Sequence, residues 1–403
     1  MDKSEKISEL RALVERRFVH RPWGYLLDCA RPDGSADIPT PDECRNGIPN
    51  VLGWGTCIEN GSFFTGLYLY GLCNAYQLEP SDELKAEIMQ YCHGLFRLCD
   101  ITVRDGCIAR GVADDGVSHY PFSSEDQAGP HMLGLWKLMN SPLADDKLKA
   151  EIKQRLIRTL TGIINAGWNI PTEWEGVTRG TWAHADWRGA SKLVFFAKLA
   201  EQLGLINKSE FERLRCERPD SGVYTRYEIC ACGFAPDMIR NTGLIQFWID
   251  VCAQLCIKEM MQLDPEYAEY YRRGLESNAN CVYLFLDDYK KYDNSGELEY
   301  NHNWRELIAH MLPERRDADE AMREAGSQIA LWNTKLCERM LNEHRVLGNM
   351  LFGAWIALAS GDSEIRRYAS EKLCEALDFV DWNTLHRSYA FVAVAAYYQS
   401  LVK

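Results

Sequence analysis

Three acids stand close ahead of long apolar runs: Glu59 in CIENGSF, Asp126 in SSEDQAG and Asp186 in HADWRG. Carboxyl groups in pairs can break a glycosidic bond, one protonated as general acid and one ionised as base or nucleophile. The expectation makes Asp126 the general acid, with Asp186 or Glu59 activating water. An inverting or hydrating reaction needs the pair about 6.5–9.5 Å apart, a retaining one about 5–5.5 Å. Each acid also suits a plainer job. An aspartate before a helix is a good N-cap, and Glu59 could brace its own loop.

The loops around these acids are rich in groups that recognise sugars. A sugar offers flat C–H faces to Trp and Tyr, and hydroxyls to Asp, Glu, Asn, His and Arg. The expected substrate-binding set is Trp54, His119, Gln127, Glu173, Trp174, Arg179, Trp182, His184, Trp187, Arg240, His302 and Trp304. Any one of these tryptophans could equally plug a loop or fill the core. His119, His184 and His302 support a rival chemistry, because histidine titrates near neutrality and can abstract a proton. That rival is a sugar epimerase or a polysaccharide lyase. Arg110, Arg179 and Arg240 could clamp a carboxylate. A glycan-binding protein without catalysis is the third alternative. No P-loop, GxGxxG, HExxH or GxSxG stands in the right context. The lone Cys230-x-Cys232 has no second pair for zinc. No cofactor and no metal are therefore implied.

The elements that must position these groups are helices of two kinds. Six stretches are apolar nearly all round and rich in Gly, Ala and aromatics: the second half of Trp54–Tyr76, Asp126–Met139, Arg188–Leu203, Gly243–Ile257, Val346–Ala359 and Ser388–Leu401. A helix without a polar face is buried on all sides. Six others carry one apolar face: Ser4–Phe18, Asp82–Leu98, Leu143–Ile164, Lys208–Leu214, Glu266–Leu286 and Ser363–Leu377. They read as an outer layer facing solvent. The alternation runs from end to end without a linker, so residues 1–403 read as a single all-α domain built as a helical array. Residues 287–342 break the pattern and read as a helical insertion near one rim. If the inner helices point the same way, their preceding loops meet there, each with free N–H groups and a partial positive charge.

A net charge of −13 argues against nucleic acid, which is bound by basic stripes. The apolar runs are too short to span a bilayer comfortably. Fifteen scattered cysteines, odd in number, favour a reducing compartment. With no apolar segment in MDKSEKISEL, the expected location is the cytoplasm. A secreted form with its leader removed is the alternative.

The motifs WGTCIENGSFFTGLYLYGLCNAY and SSEDQAG, set in this alternating chain, resemble the six-hairpin glycosidase superfamily. The nearest style is that of the unsaturated glucuronyl and rhamnogalacturonyl hydrolases. The resemblance implies an (α/α)6 toroid with its active site in a funnel at one end. It also implies loop aspartates that hydrate the C4=C5 bond of a lyase product. By position Asp126 and Asp186 look like those aspartates, while Glu59 stands outside the two-aspartate scheme. The implied partner is a carbohydrate: an oligosaccharide, including unsaturated or uronic fragments.

Overall fold

The computed structural model describes residues 3–235, 246–295, 303–308 and 317–402, and it is mostly helical. The outer layer comprises α1 (Lys3–Arg17), α3 (Asp82–Asp100), α5 (Asp146–Asn165), α7 (Lys208–Cys216) with α8 (Arg226–Cys232), α10 (Ala268–Tyr283) and α13 (Ser363–Phe379). The inner layer comprises α2 (Gly61–Leu78), α4 (Glu125–Met139), α6 (Trp187–Gln202), α9 (Phe247–Leu263), α12 (Asn349–Leu358) and α14 (Ala390–Leu401). The expected inner helices are all present; the fourth runs on to Leu263 instead of Ile257, and its expected start at Gly243 lies outside the described residues. Their burial follows their composition: the fifteen residues from Gly61 to Ala75 of α2 are all buried.

Local signals fix the starts of the outer helices. Ser81 Oγ accepts the Leu84 amide at 3.1 Å and opens α3, where Asp82 and Glu83 sit in the positively charged first turn. Asp145 Oδ1 does the same for Leu148 at 2.8 Å and opens α5.

The inner helices pack on each other. α2 lies against α4 and α14, α9 against α4, α6 and α12, and α12 against α14. The outer helices cover them: α3 on α2, α5 on α4, α7 and α8 on α6, α10 on α9 and α12, α13 on α12 and α14, and α1 on α14. Two glycines let α2 and α4 cross closely. A Cβ at Gly66 of α2 would stand 2.2 Å from Pro130 O, and one at Gly134 of α4 would stand 2.3 Å from Gly66 O. Only backbone without side chains approaches so closely.

Several elements were not foreseen. The third loop holds a hairpin, β3 (Asn169–Pro171) with β4 (Thr178–Thr181), after a first small hairpin of β1 (Val19–His20) and β2 (Tyr25–Leu26). Helix α8 lies inside the stretch read as the next loop. The start of α12 is a π-helical turn, Glu343–Gly348. The insertion at 287–342 holds α11 (Ala318–Lys335) and the short helices Trp304–Leu307 and Glu338–Asn342. Among the described residues, no helix is long and apolar enough to cross a membrane.

Candidate active site

The N-terminal ends of α2 and α4, hairpin β3–β4, the start of α9, α11, the π-helical turn and residues 387–389 line one cavity of about 530 Å3. Its acids are Asp28, Glu59, Glu125 and Asp126. Its bases are Arg110, Arg179, Arg345, Arg387 and His344. Trp54, Trp248 and Trp332 give it aromatic walls.

The acids are held in different ways. Asp28 accepts the backbone N–H of Asn60 at 2.6 Å and its side-chain amide at 2.6 Å. Asn60 in turn accepts Gln127 Nε2 at 2.9 Å, and Gln127 Oε1 takes the Phe63 amide at 3.1 Å. Burial, with Glu59's charge added, pushes the Asp28 carboxyl up to about 8. Glu59 accepts the Gly55 amide at 2.9 Å, and burial raises its carboxyl above the usual range, with Asp126's charge acting the same way. Glu125 is raised too, first by burial and then by Asp126, and its Oε2 is buried with no hydrogen-bond partner. Asp126 accepts the Ser124 hydroxyl and stands in the first turn of α4.

A buried cation joins two of these acids. Arg110 donates to Ser124 Oγ at 2.6 Å, to the Glu59 carbonyl at 3.2 Å and to the Phe122 carbonyl at 3.1 Å. Burial lowers its guanidinium, and the charges of Asp126 and Glu59 hold it up. On another part of the wall, His344 Nδ1 lies 2.6 Å from the Tyr389 hydroxyl. Burial depresses His344 to about 3, so the imidazole is neutral. Arg179 Nε and Arg387 Nε are both buried without a hydrogen-bond partner among the described residues. The cavity therefore holds carboxyls biased toward the protonated form, guanidinium groups with unspent donors, and aromatic faces.

Of the expected site residues, Glu59, Asp126, Trp54 and Arg179 line this cavity. Gln127 lies one layer behind it as the brace of Asn60. Asp186 does not line it. Its Oδ1 accepts the Gly189 amide at 2.6 Å and caps α6, so its expected catalytic role is replaced by the plainer one.

Three aromatics from the loop after α5 to the start of α6, and Trp304 of the insertion, are also placed elsewhere. Trp182 is fully buried and stacks on Phe196 with centroids 4.6 Å apart. Trp187 is buried and donates to the Cys230 carbonyl at 3.3 Å. Trp174 meets Phe122 edge to face at 4.9 Å. Trp304 is buried and donates to the Asp37 carbonyl at 3.0 Å. These four fill loops and core, as large apolar side chains do when a partner is at hand. His119 and Glu173 lie 3.2 Å apart, away from the cavity wall. His184 is exposed outside it. Arg240 and His302 lie outside the described residues.

Sequence reasoning missed Asp28, Trp248, Trp332, His344, Arg345, Arg387 and Tyr389 as members of the site. A signal existed for four of them. Glu343-His344-Arg345 and His386-Arg387-Ser388-Tyr389 precede the fifth and sixth inner helices, where the loop rule applied to the first three helices would have found them. Asp28 had none, since it comes from an irregular segment far upstream. Among the described residues no group of three or more His, Cys, Asp or Glu is placed to hold a metal ion. No family model matches the chain, and neither a curated protein nor a solved structure shows significant similarity to it.

Proposed function

We propose that this cavity is the active site of a glycoside hydrolase-like enzyme acting on an oligosaccharide, with Glu59 as the proton donor and Asp126 as the ionised partner. The observation behind this reading is the gathering of Asp28, Glu59, Glu125 and Asp126 in one aromatic-walled cavity. Burial raises the first three, which favours the proton-carrying form that a general acid needs. Asp126 differs. It takes the Ser124 hydroxyl hydrogen bond and stands in the first turn of α4, where it is the carboxyl proposed to activate water. These roles reverse the ones expected from sequence.

The guanidinium groups of Arg179, Arg345 and Arg387 favour an acidic sugar, an unsaturated or uronic fragment among the candidates. We further propose that the layers close as an (α/α)6 toroid. Support comes from the circuit of inner contacts, α2 to α4 to α9 to α12 to α14 and back to α2, with α6 on α9. The reading as an enzyme of the cytoplasm rests on composition.

A second reading, epimerisation or β-elimination, has one observation in its favour: the neutral His344 bonded to Tyr389 in the same wall. Two assays separate the readings. Release of reducing ends, or loss of double-bond absorbance from unsaturated uronides, that Glu59→Gln abolishes supports hydrolysis or hydration. Exchange of a carbon-bound hydrogen for solvent deuterium that His344→Gln abolishes supports the second reading. Binding without either reaction would leave a glycan-binding protein.

A further inference from the structure

We infer that Glu343 is a positioning residue: its carboxyl group ties the π-helical turn to residues 386–389 and so sets four cavity side chains together. The turn Glu343–Gly348 supplies His344 and Arg345, and the other segment supplies Arg387 and Tyr389. Glu343 itself is fully buried and does not line the cavity. Its Oε1 and Oε2 accept the His386 amide at 3.0 and 2.9 Å, and Oε2 also accepts the Arg387 amide at 2.8 Å.

On its other side the segment 386–389 is held by an antiparallel β-bridge between Cys29 and Arg387. Ala30 N donates to the His386 carbonyl at 3.0 Å, and Ser388 N donates to the Asp28 carbonyl at 3.1 Å. The segment thus also touches the chain that carries Asp28. π-Helical turns are rare and recur at functional sites. Here the turn brings one acid inward and the next two residues to the cavity.

Titratable and charged groups face this carboxyl from several elements. They are Arg387, His386 and Tyr389 on the tied segment, Arg339 on the short helix before the turn, and Tyr292, whose hydroxyl lies 3.5 Å from Oε1. His344 and Arg345 follow it in the turn. Burial outweighs the hydrogen bonds and Arg387, and lifts Glu343 to about 7. The closed segment therefore keeps a proton that an opened segment releases above the ordinary carboxyl value of 4.5. Buried His344 and His386, depressed to about 3 and 4, act in the opposite sense below pH 6.5.

The test is amide hydrogen exchange of the full chain without ligand, comparing wild type with Glu343→Gln from pH 4.5 to 8. Comparison with the variant cancels the histidines. The ratio of wild-type to variant protection in residues 385–391 should fall by up to about tenfold per pH unit toward pH 7, then level off. Protection of α2 should be the same in both proteins. A ratio that does not change with pH overturns the inference, as does equal loss across α2. If Glu343→Gln does not fold, Asp28→Asn, which removes the other carboxyl raised beside this segment, decides. Its 385–391 protection must still fall between pH 6.5 and 7, and a flat profile there overturns the inference. The result depends on cavity geometry and not on which reaction the cavity performs.

Discussion

The loops before α4 and α6 look alike in sequence and do opposite work. Both are long, aromatic and acidic, and both end in an aspartate at a helix start. Before α4, Ser124 occupies the cap position and Glu125 and Asp126 fall in the first turn beside the cavity. Before α6, Asp186 is itself the cap, and its carboxylate is used up on Gly189. Two residues of register separate the aspartate at the site from the one that caps its helix. The tryptophans differ in the same way. Trp182 and Trp187 are sealed into the core, and from this loop only Arg179 lines the cavity. In this loop the aromatic residues went to packing and a single charged side chain went to the cavity.

Substitutions can break or sharpen that contrast. Trp182→Ala removes a fully buried ring stacked on Phe196 and should cost about 3–5 kcal/mol in denaturant unfolding. Trp54→Ala, on the cavity wall, should cost about 1 kcal/mol and instead weaken ligand binding. Equal losses of stability would erase the distinction between plug and wall.

The pH dependence follows from Asp28. Its folded carboxyl is held up at about 8, above the ordinary 3.8, so the folded chain keeps a proton that the unfolded chain has released. That contribution is complete below pH 3.8 and is lost as pH rises through about 8. His344 and His131, both depressed to about 3, change stability in the opposite direction below pH 6.5. The window free of them is pH 6.5–8, and Glu343, lifted to about 7, cancels in a comparison with a variant of Asp28. There wild type should lose stability relative to Asp28→Asn by up to about 1.4 kcal/mol per pH unit. Parallel unfolding midpoints for the two proteins across this window would show that Asp28 is not held protonated.

The smallest effect belongs to the cap. Asp186→Ala should lower stability by about 1 kcal/mol, and Asp186→Asn, which still caps, by less. Neither should change turnover.

The layers were legible in the sequence because burial dictates periodicity. α2 is apolar on every face and lies inside, whereas α3 and α5 show one apolar face and lie outside. The site was legible in the loops that lead to the first three inner helices, which supply Trp54, Glu59, Arg110, Asp126 and Arg179. Asp28 reaches it from an irregular segment, through hydrogen bonds to Asn60 that no local pattern announces. Trp248 and Trp332 have the same side chain as Trp182 and Trp187. Composition alone cannot say which ring meets the cavity and which meets another ring, since that depends on partners distant in the chain.

The most direct measurement is turnover by wild type, Glu59→Gln, Asp126→Asn and Asp186→Asn on one panel of oligosaccharides that includes unsaturated uronides. The account predicts a loss of about 10²–10⁴-fold in kcat for the first two substitutions and none for Asp186→Asn. Full turnover in Glu59→Gln and Asp126→Asn, or a comparable loss in Asp186→Asn, would contradict it.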